Sequence, residues 1–357
     1  MAKSKDMPDI YKEMTFEAKQ KGSYEFKVRY AEAKAWEFYR HPAVAGECYV
    51  SVGGLDSITL LMFLRSIGIP DLPAVSVSVL EDKSVQEVHK QLGVQPLRPL
   101  KSKVEVIREF GWPIITKDAS NKIEALQNPT ERNAAFRHAS ITGEVGGVGS
   151  GKYDKNAKLP KRWLEKFGGY ENETEGTCYQ VPDFYVSDKC CWYLKERPCN
   201  DYAKETGRHP YMGLMASEGG RRRKALMRNG CNYISEKTKR SCPFAIFSRQ
   251  DLLRLALDLK VPVPALYGKI AKAPDGTLYT TKAQRSGCGM CGFGIQLEAR
   301  PHRFDWLWRN SPKEWDMWMN HVDQMPDGTW YGWGHVLDYM GVAWRDPDKQ
   351  FKSWMLI

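Results

Sequence analysis

The fold is decided by residues 48–68, which have the sequence CYVSVGGLDSITLLMFLRSIG. Residues 48–52 are typical of a β-strand, the glycine pair predicts a tight turn, and residues 56–68 have the apolar spacing of a helix. A second alternating run at 74–80 predicts another strand, and helix-like segments follow at 84–92 and 104–110. Strands that alternate with helices predict an α/β fold with a doubly wound, mostly parallel sheet.

Composition predicts a globular protein with a negatively charged partner. The chain has 357 residues, of which 42% are hydrophobic, and 53 Lys and Arg against 43 Asp and Glu give a net charge of +10. This excess favours polyanions such as nucleotides or nucleic acid. No apolar run reaches the roughly 18 residues that would span a bilayer, and the N-terminal sequence MAKSKDMPDIYKEM has no apolar stretch of a signal peptide. We therefore expect a cytoplasmic protein without a membrane partner.

The organisation along the chain predicts a helical N-terminal cap over 1–44, an α/β domain over 45–300 and a helical extension over 301–357. Residues 24–39 have helical spacing, and Ser248 with Asp251 predicts a capping box at the start of a helix over 245–260. The extension is rich in tryptophan, which we expect to serve packing, because large aromatic side chains dominate core burial. These tryptophans are Trp306, Trp308, Trp315, Trp318, Trp330, Trp333 and Trp344.

A polar, glycine-rich segment over 143–160 contains a phosphate-loop pattern that we expect to be misleading. Gly146, Gly151 and Lys152 satisfy GxxxxGK, but Tyr153 stands where a P-loop needs a Ser or Thr hydroxyl for magnesium. The next residues, DKNAKLPK, do not form an amphipathic helix. The segment is therefore predicted to be a surface loop.

The turn after the first predicted strand is the candidate phosphate site. Gly53 and Gly54 allow backbone N–H groups to approach an anion, and Ser51, Ser57 and the exposed amides of the helix start are expected to face phosphate oxygens. Asp56 would hold the turn or position a magnesium ion. An ordinary glycine turn capped by Asp56 is the structural alternative.

Nine cysteines indicate metal or redox chemistry rather than a disulfide scaffold. Cys190 and Cys191 are adjacent, and Cys288 and Cys291 form a CxxC pair far downstream. Four thiolates from two loops can hold a [4Fe-4S] cluster, whereas adjacent cysteines rarely both reach one zinc ion. A zinc site and unmetallated thiols remain alternatives.

Two cations accompany these cysteine pairs. Lys195 follows Cys191 four residues later, where it can offset the charge of a thiolate-ligated cluster or reach a substrate anion. Arg285 lies in the glycine-rich loop that carries the second pair, whose N–H groups can bond cluster sulfurs. An ordinary helical lysine is the alternative for Lys195.

Four motifs follow one another along the chain: GGLDS, CC with a lysine four residues on, a glutamate with an arginine run, and CxxC. This order resembles that of the phosphoadenosine phosphosulfate (PAPS) reductase family, in its iron–sulfur type. The turn is similar to the SGGxDS pyrophosphate loop of the adenine nucleotide α-hydrolase (PP-loop) superfamily, with Val52 in place of the first serine. The segment 211–223 is similar to the family's nucleotide-approaching segment: Glu218 is retained, while Met215 and Gly219 replace its Arg and Ser.

The resemblance implies an adenine nucleotide at the turn and places Lys195, Glu218, Arg222 and Arg285 at the substrate. The other two arginines of the run, Arg221 and Arg223, are further candidates. The bound nucleotide would be ATP or a sulfonucleotide, adenylylsulfate (APS) or PAPS.

One feature of that family is missing from the sequence. The reductases carry a nucleophilic cysteine in a C-terminal tail, and no cysteine follows Cys291. A thiolate is required for that step. The remaining candidates for it are Cys178, Cys199, Cys231 and Cys242, each of which could equally be a small buried residue or an auxiliary cluster ligand.

Three functions follow from the sequence. The first is ATP-dependent sulfur transfer, with modification of DNA or RNA and a sulfur donor. The second is reduction of APS or PAPS to sulfite with a thiol reductant. The third is a non-catalytic module in which a cluster stabilises a domain that binds nucleotides or nucleic acid. The +10 charge and the missing tail cysteine favour the first.

Overall fold

A computed structural model describes residues 9–69, 71–77, 81–168 and 181–354. Its contacts divide the chain into two units, which are described separately. Unit 1 comprises residues 1–99 and 195–289, and unit 2 comprises residues 100–194 and 290–357. The boundaries predicted at 44/45 and 300/301 stay a prediction, because the units are defined by contacts in space and both are discontinuous in sequence.

The helices and strands are short and numerous. The α-helices are α1 Asp9–Gln20, α2 Tyr24–Tyr39, α3 Leu55–Ser66, α4 Lys83–Gln91, α5 Lys103–Phe110, α6 Lys117–Gln127, α7 Ala134–Thr142, α8 Lys161–Phe167, α9 Lys189–Cys191, α10 Arg197–Thr206, α11 Gly220–Asn229, α12 Arg249–Asp258, α13 Arg303–Asn310, α14 Pro312–Asn320, α15 Trp333–Met340 and α16 Pro347–Trp354. The strands are β1 Cys48–Ser51, β2 Ala74–Ser76, β3 Gln95–Pro96, β4 Ile114–Ile115, β5 His209–Met212, β6 Asn232–Ile234, β7 Lys239–Ser241, β8 Ile270–Lys272, β9 Leu278–Thr280, β10 Gly292–Phe293, β11 Asp323–Gln324 and β12 Trp330–Tyr331.

Unit 1 is built on a six-stranded sheet with the order β3-β2-β1-β5-β7-β6. Within the described residues, the neighbours β3, β2, β1, β5 and β7 are parallel, and β6 runs antiparallel to β7. The prediction of a mixed α/β fold with a mainly parallel sheet is therefore confirmed. Because β1 lies between β2 and β5, the segments that follow these three strands meet at one edge of the sheet.

The local signals of the sequence explain several elements of unit 1. Helix α2 has the predicted bounds, and Ser23 caps it by accepting the Phe26 amide. The predicted capping box of Ser248 and Asp251 is present at the start of α12. Strand β2 has the predicted start, while residues 78–80 of that prediction lie outside the described residues. The core between these elements contains β1 and most of α3.

Unit 2 has its own core, in which aromatic side chains dominate. Trp112 and Trp333 are fully buried, with ring centroids 4.8 Å apart. Trp315 packs against Trp344 at 5.9 Å, whereas Trp306 and Trp330, for which packing was also expected, are exposed. A two-stranded parallel sheet joins β4 to β10.

The loop with the GxxxxGK pattern wraps around a carboxylate of the protein itself. Glu144 accepts hydrogen bonds from the amides of Gly149 at 3.1 Å and Gly151 at 2.9 Å, and from His138 Nε2 at 2.7 Å. These bonds lower the pKa of Glu144 to about 2, with the His138 bond contributing most. The interpretation of this segment as a surface loop rather than a P-loop agrees with that arrangement.

Among the described residues, no helix combines the length and the apolar character needed to cross a membrane.

Candidate functional site

The candidate site lies in unit 1, where β1 passes through the glycine turn into α3. Gly54 is the N-cap of α3, with extended backbone angles and no side-chain cap. The turn is reinforced by Ser57, whose Oγ accepts the Gly53 amide at 2.6 Å and donates to the Gly54 carbonyl at 3.0 Å. The hydroxyl of Ser57, expected to face a phosphate, is thus used inside the turn.

Two amides of the turn are available to an anion. The Leu55 amide donates to Tyr267 Oη at 3.1 Å, so it is occupied. The amides of Gly54 and Asp56, by contrast, have no hydrogen-bond acceptor within the described parts of the chain. Two unpaired N–H groups at the first turn of a helix are the donors that a phosphate oxygen requires.

Two glycines are required here for close approach. A Cβ on Gly54 would lie 2.3 Å from both Tyr267 Oη and Ser286 Oγ. A Cβ on Gly213, just after β5, would lie 2.9 Å from the Asp56 carbonyl oxygen and the Ser57 nitrogen. The backbone of β5 therefore closes onto the start of α3 only because residue 213 has no side chain.

Asp56 is held by a cation from α12. Its Oδ1 lies 2.5 Å from Arg249 Nη1, and Arg249 also donates to the Gln284 carbonyl at 3.0 Å. Burial raises the pKa of Asp56, and Glu218 adds to this effect, while Arg249 and Arg285 oppose it. The ion pair favours the role in which Asp56 holds the turn over the role of a magnesium ligand.

Glu218 joins two of the predicted substrate-binding arginines. Its side chain is 7% exposed, and its Oε1 lies 2.5 Å from Arg222 and 3.7 Å from Arg285. Arg285 itself is largely exposed, so its guanidinium group remains accessible to a substrate anion. Glu218 thus holds two cations near Asp56. Glu218 raises the pKa of Asp56 and Arg285 lowers it.

Lys195 lies in a π-helical turn over Trp192–Glu196, a distortion that often occurs at functional sites. Its Nζ lies 3.0 Å from Glu81 Oε1. Burial works against the charged lysine, but the Cys288 sulfur and the Glu81 carboxylate outweigh it, and the pKa of Lys195 is raised. Lys195 and Cys288 therefore interact electrostatically in unit 1, although 93 positions separate them in the sequence.

Glu81 and His89 were not predicted from the sequence. Glu81 follows β2 and is buried; its Oε2 has no hydrogen-bond partner among the described residues. His89 is also buried, and its Nε2 donates to the Gly53 carbonyl at 2.7 Å. Burial lowers the pKa of His89. The position of Glu81 after the second strand was the available signal, because ligand-binding residues follow parallel strands.

Ser51 ends β1 beside a thiol. Its Oγ is 4.0 Å from Cys199 Sγ. Burial raises the pKa of Cys199, against the opposing effects of the Ser51 hydroxyl and Lys195. Burial also raises the pKa of Cys231 and that of Cys242 to about 12 each. Cys178, the fourth candidate nucleophile, lies outside the described residues.

The predicted cluster ligands belong to both units. Cys190, Cys191 and Cys291 belong to unit 2, and Cys288 belongs to unit 1. Within the described ranges, no group of three or more His, Cys, Asp or Glu side chains is arranged to hold a metal ion. The [4Fe-4S] cluster stays a prediction, and we derive no step of a reaction through it.

Comparison with known proteins gives little further information. No family model matches the chain, and no curated protein matches it. Among solved structures, a phosphoadenylyl-sulfate (PAPS) reductase from Candida auris in complex with phosphate aligns with 77% of this chain and 100% of its own, at 11% identity and a TM-score of 0.34. A similarity this low is not evidence for a shared activity.

Proposed function

We propose that the turn over 51–57 binds the phosphates of ATP, and that the protein is an enzyme that activates a substrate oxygen for replacement by sulfur, with a nucleic acid as the acceptor. The observation that carries this proposal is the pair of amides at the start of α3, Gly54 and Asp56, which have no acceptor in the part of the chain that the structure describes. They lie where three parallel strands end, which is the position at which α/β sheets bind nucleotides.

The cations around the turn suit a polyphosphate. Arg249 neutralises Asp56, Lys195 is charged beside Glu81, and Arg285 is exposed. Bound phosphates would thus meet unpaired N–H donors and compensated carboxylates rather than bare negative charge. Arg222 and Arg285, both attached to Glu218, are the groups we assign to substrate anions.

The proposed reaction has two steps. The substrate oxygen attacks the α-phosphorus of ATP, the bond between that phosphorus and the bridging oxygen breaks, and pyrophosphate leaves. Hydrogen sulfide or an equivalent donor then attacks the activated atom, the bond from that atom to the adenylylated oxygen breaks, and AMP leaves with the oxygen. The amides of the turn would stabilise the charge that develops on the pyrophosphate.

The alternative, reduction of a sulfonucleotide to sulfite, needs a nucleophilic thiolate. Cys199 lies beside the turn, but burial raises its pKa, and the same holds for Cys231 and Cys242. A thiol with a raised pKa is a poor nucleophile at neutral pH. Among the candidate thiols that the structure describes, which leave out Cys178, this favours adenylylation over reduction. The predicted cluster would then stabilise the protein or serve electron transfer; neither role is needed for the two steps above.

The test is pyrophosphate release from MgATP, with a sulfide donor and DNA, RNA or small acceptors. Arg249→Gln leaves the charge of Asp56 without its partner, so Asp56 would repel a bound phosphate. At an effective dielectric constant of about 20 and a distance of about 8 Å, this repulsion amounts to about 2 kcal/mol. We therefore expect kcat/KM to fall roughly 30-fold. Arg254→Gln is the matched control, because Arg254 also lies on α12 and pairs with an acid, Glu25, at 3.0 Å. We expect it to change the rate less than twofold.

Three results would contradict the proposal. One is the absence of pyrophosphate with every acceptor, which would leave the non-catalytic module. Another is sulfite production from APS or PAPS with a thiol reductant, which would establish the reductase. The third is equal loss in the Arg249 and Arg254 variants, because the effect would then not arise at the turn.

A further inference from the structure

We infer that a basic surface formed by α11 and the β6–β7 hairpin binds the phosphate backbone of a nucleic acid strand and delivers it to the phosphate turn. The basic surface is defined as residues 220–241. This inference rests on the proposed function, since it names the place where the acceptor would bind.

The charge of the chain is concentrated in this segment. Residues 221–240 contain eight Lys and Arg against the single acid Glu236, a net charge of +7 in a protein whose total is +10. The remainder of the chain is thus close to balanced. A local excess of this size is the electrostatic signature of a polyanion site.

The cations of the basic surface are accessible and largely uncompensated. Lys224 and Arg228 on α11 and Lys237 in the hairpin are exposed. None of these three, nor Lys239 and Arg240, forms an ion pair with any acid in the described part of the chain. A polyanion that binds such cations releases its own counterions, and this release favours binding.

The helix and the hairpin approach each other at one place. Helix α11 ends at Asn229 and β6 begins at Asn232, and the Cys242 amide, just after β7, donates to the Cys231 carbonyl at 2.7 Å, so the hairpin starts at the C-terminal end of α11. Arg240 of β7 lies over the ring of Tyr233 on the paired strand, 5.6 Å from the centroid. Guanidinium groups next to an aromatic ring suit a phosphate backbone with unstacked bases.

The basic surface begins beside the phosphate turn. Arg222, in the first turn of α11, pairs with Glu218 at 2.5 Å, and Glu218 lies 3.7 Å from Arg285. The next residue, Ser286, borders the turn, because its Oγ would lie 2.3 Å from a Cβ on Gly54. A strand bound along α11 would therefore bring its phosphates or bases to the nucleotide site. A surface far from the turn would not have this consequence.

An anionic membrane is the less suitable partner. A helix that lies on a bilayer inserts an apolar face into it. Leu226 and Met227, the large apolar residues of α11, are buried in the protein, at 5% and 8% exposure. Among its described side chains, α11 therefore presents no large apolar residue that could insert into a bilayer. A charged helix without such a face favours nucleic acid.

The test is fluorescence anisotropy with a labelled single strand of about 20 nucleotides, as DNA and as RNA, without ATP. The variant is Lys224→Gln/Arg228→Gln/Lys237→Gln. The matched control is Lys152→Gln/Lys155→Gln/Lys313→Gln, which removes three exposed charges from unit 2. Losing three phosphate contacts from a single strand is expected to lower the slope of log K against log salt by about 2, and the affinity in about 0.1 M salt by about 100-fold.

The control is expected to bind within threefold of the wild type. Equal affinities of the variant and the control would overturn the inference. So would a wild type that binds neither oligonucleotide at low salt, or one that binds only phosphatidylserine vesicles. Pyrophosphate release is measured separately. If it is absent while binding depends on the basic surface, the surface is real and the proposed reaction is wrong; if it occurs while the oligonucleotides do not bind, the inference alone fails.

Discussion

The glycine pair of the turn offers a sharp test, because two adjacent glycines are expected to respond to alanine in opposite ways. Among the described atoms, a Cβ on Gly53 would meet Glu81 Oε1 and Ser57 Oγ, each at 3.8 Å, which is ordinary contact. A Cβ on Gly54 would lie 2.3 Å from Tyr267 Oη and from Ser286 Oγ. Neither glycine has a left-handed backbone, so steric contact alone separates them.

The expected loss of stability follows from the hydrogen bonds and the burial of Tyr267. Its hydroxyl accepts the amides of Leu55 and Ser286, both at 3.1 Å, and its side chain is buried. Displacing it adds overpacking of about 1–3 kcal/mol to the loss of two hydrogen bonds of about 1 kcal/mol each. We expect Gly54→Ala to lower the free energy of unfolding by about 3–5 kcal/mol, and Gly53→Ala to change it by less than about 1 kcal/mol.

The assay is urea unfolding followed by fluorescence, with the change in midpoint compared between the two variants. A double-mutant cycle strengthens it: Tyr267→Phe removes one clashing atom, so it should cost less in the Gly54→Ala background than in the wild type. Equal stability of the two alanine variants, or strictly additive effects in the cycle, would refute the packing described for the turn.

Three further predictions concern groups around the site and the loop. Because burial lowers the pKa of His89 from 6.5, the unfolded chain binds the proton first, and the free energy of unfolding should fall as pH drops below 6.5; His89→Gln should remove this dependence. The pKa of Glu144 is lowered from 4.5 to about 2, so the loop should stay closed above pH 4.5 and open as pH falls towards 2, seen as a smaller protection factor of the Gly149 amide relative to its intrinsic exchange rate at the same pH; Glu144→Gln should show a smaller protection factor already at neutral pH. Gly213→Ala should destabilise by about 1–3 kcal/mol in urea unfolding, because its Cβ would press on the Asp56 carbonyl.

The sequence predicted the structural features that depend on residues close together in the chain. The strand, turn and helix at 48–66, the bounds of α2 and the capping box at Ser248 each depend on residues that are close together in the chain. The misleading GxxxxGK loop was also recognised locally, from Tyr153 and from the segment DKNAKLPK that follows it. Propensity, capping and turn chemistry act over a few residues, so they can be inferred without knowing the fold.

The rest depends on contacts that no local pattern contains. Arg249 reaches Asp56 across 193 positions, and Tyr267 reaches Leu55 across 212. The Ser57 hydroxyl was expected to face a ligand, but its bond to the Gly53 amide is decided by the shape of the turn. The predicted metal ligands depend on how distant segments meet, which spacing alone does not determine.

The central claim is that the turn over 51–57 holds the phosphates of a nucleotide, and amide hydrogen exchange with and without MgATP tests it most directly. We expect ATP to slow exchange in peptides that cover 53–57 and to leave the loop over 146–152 unchanged, since Glu144 already occupies that loop. Protection of the 146–152 loop instead, or no change at the turn at saturating ATP, would contradict the account.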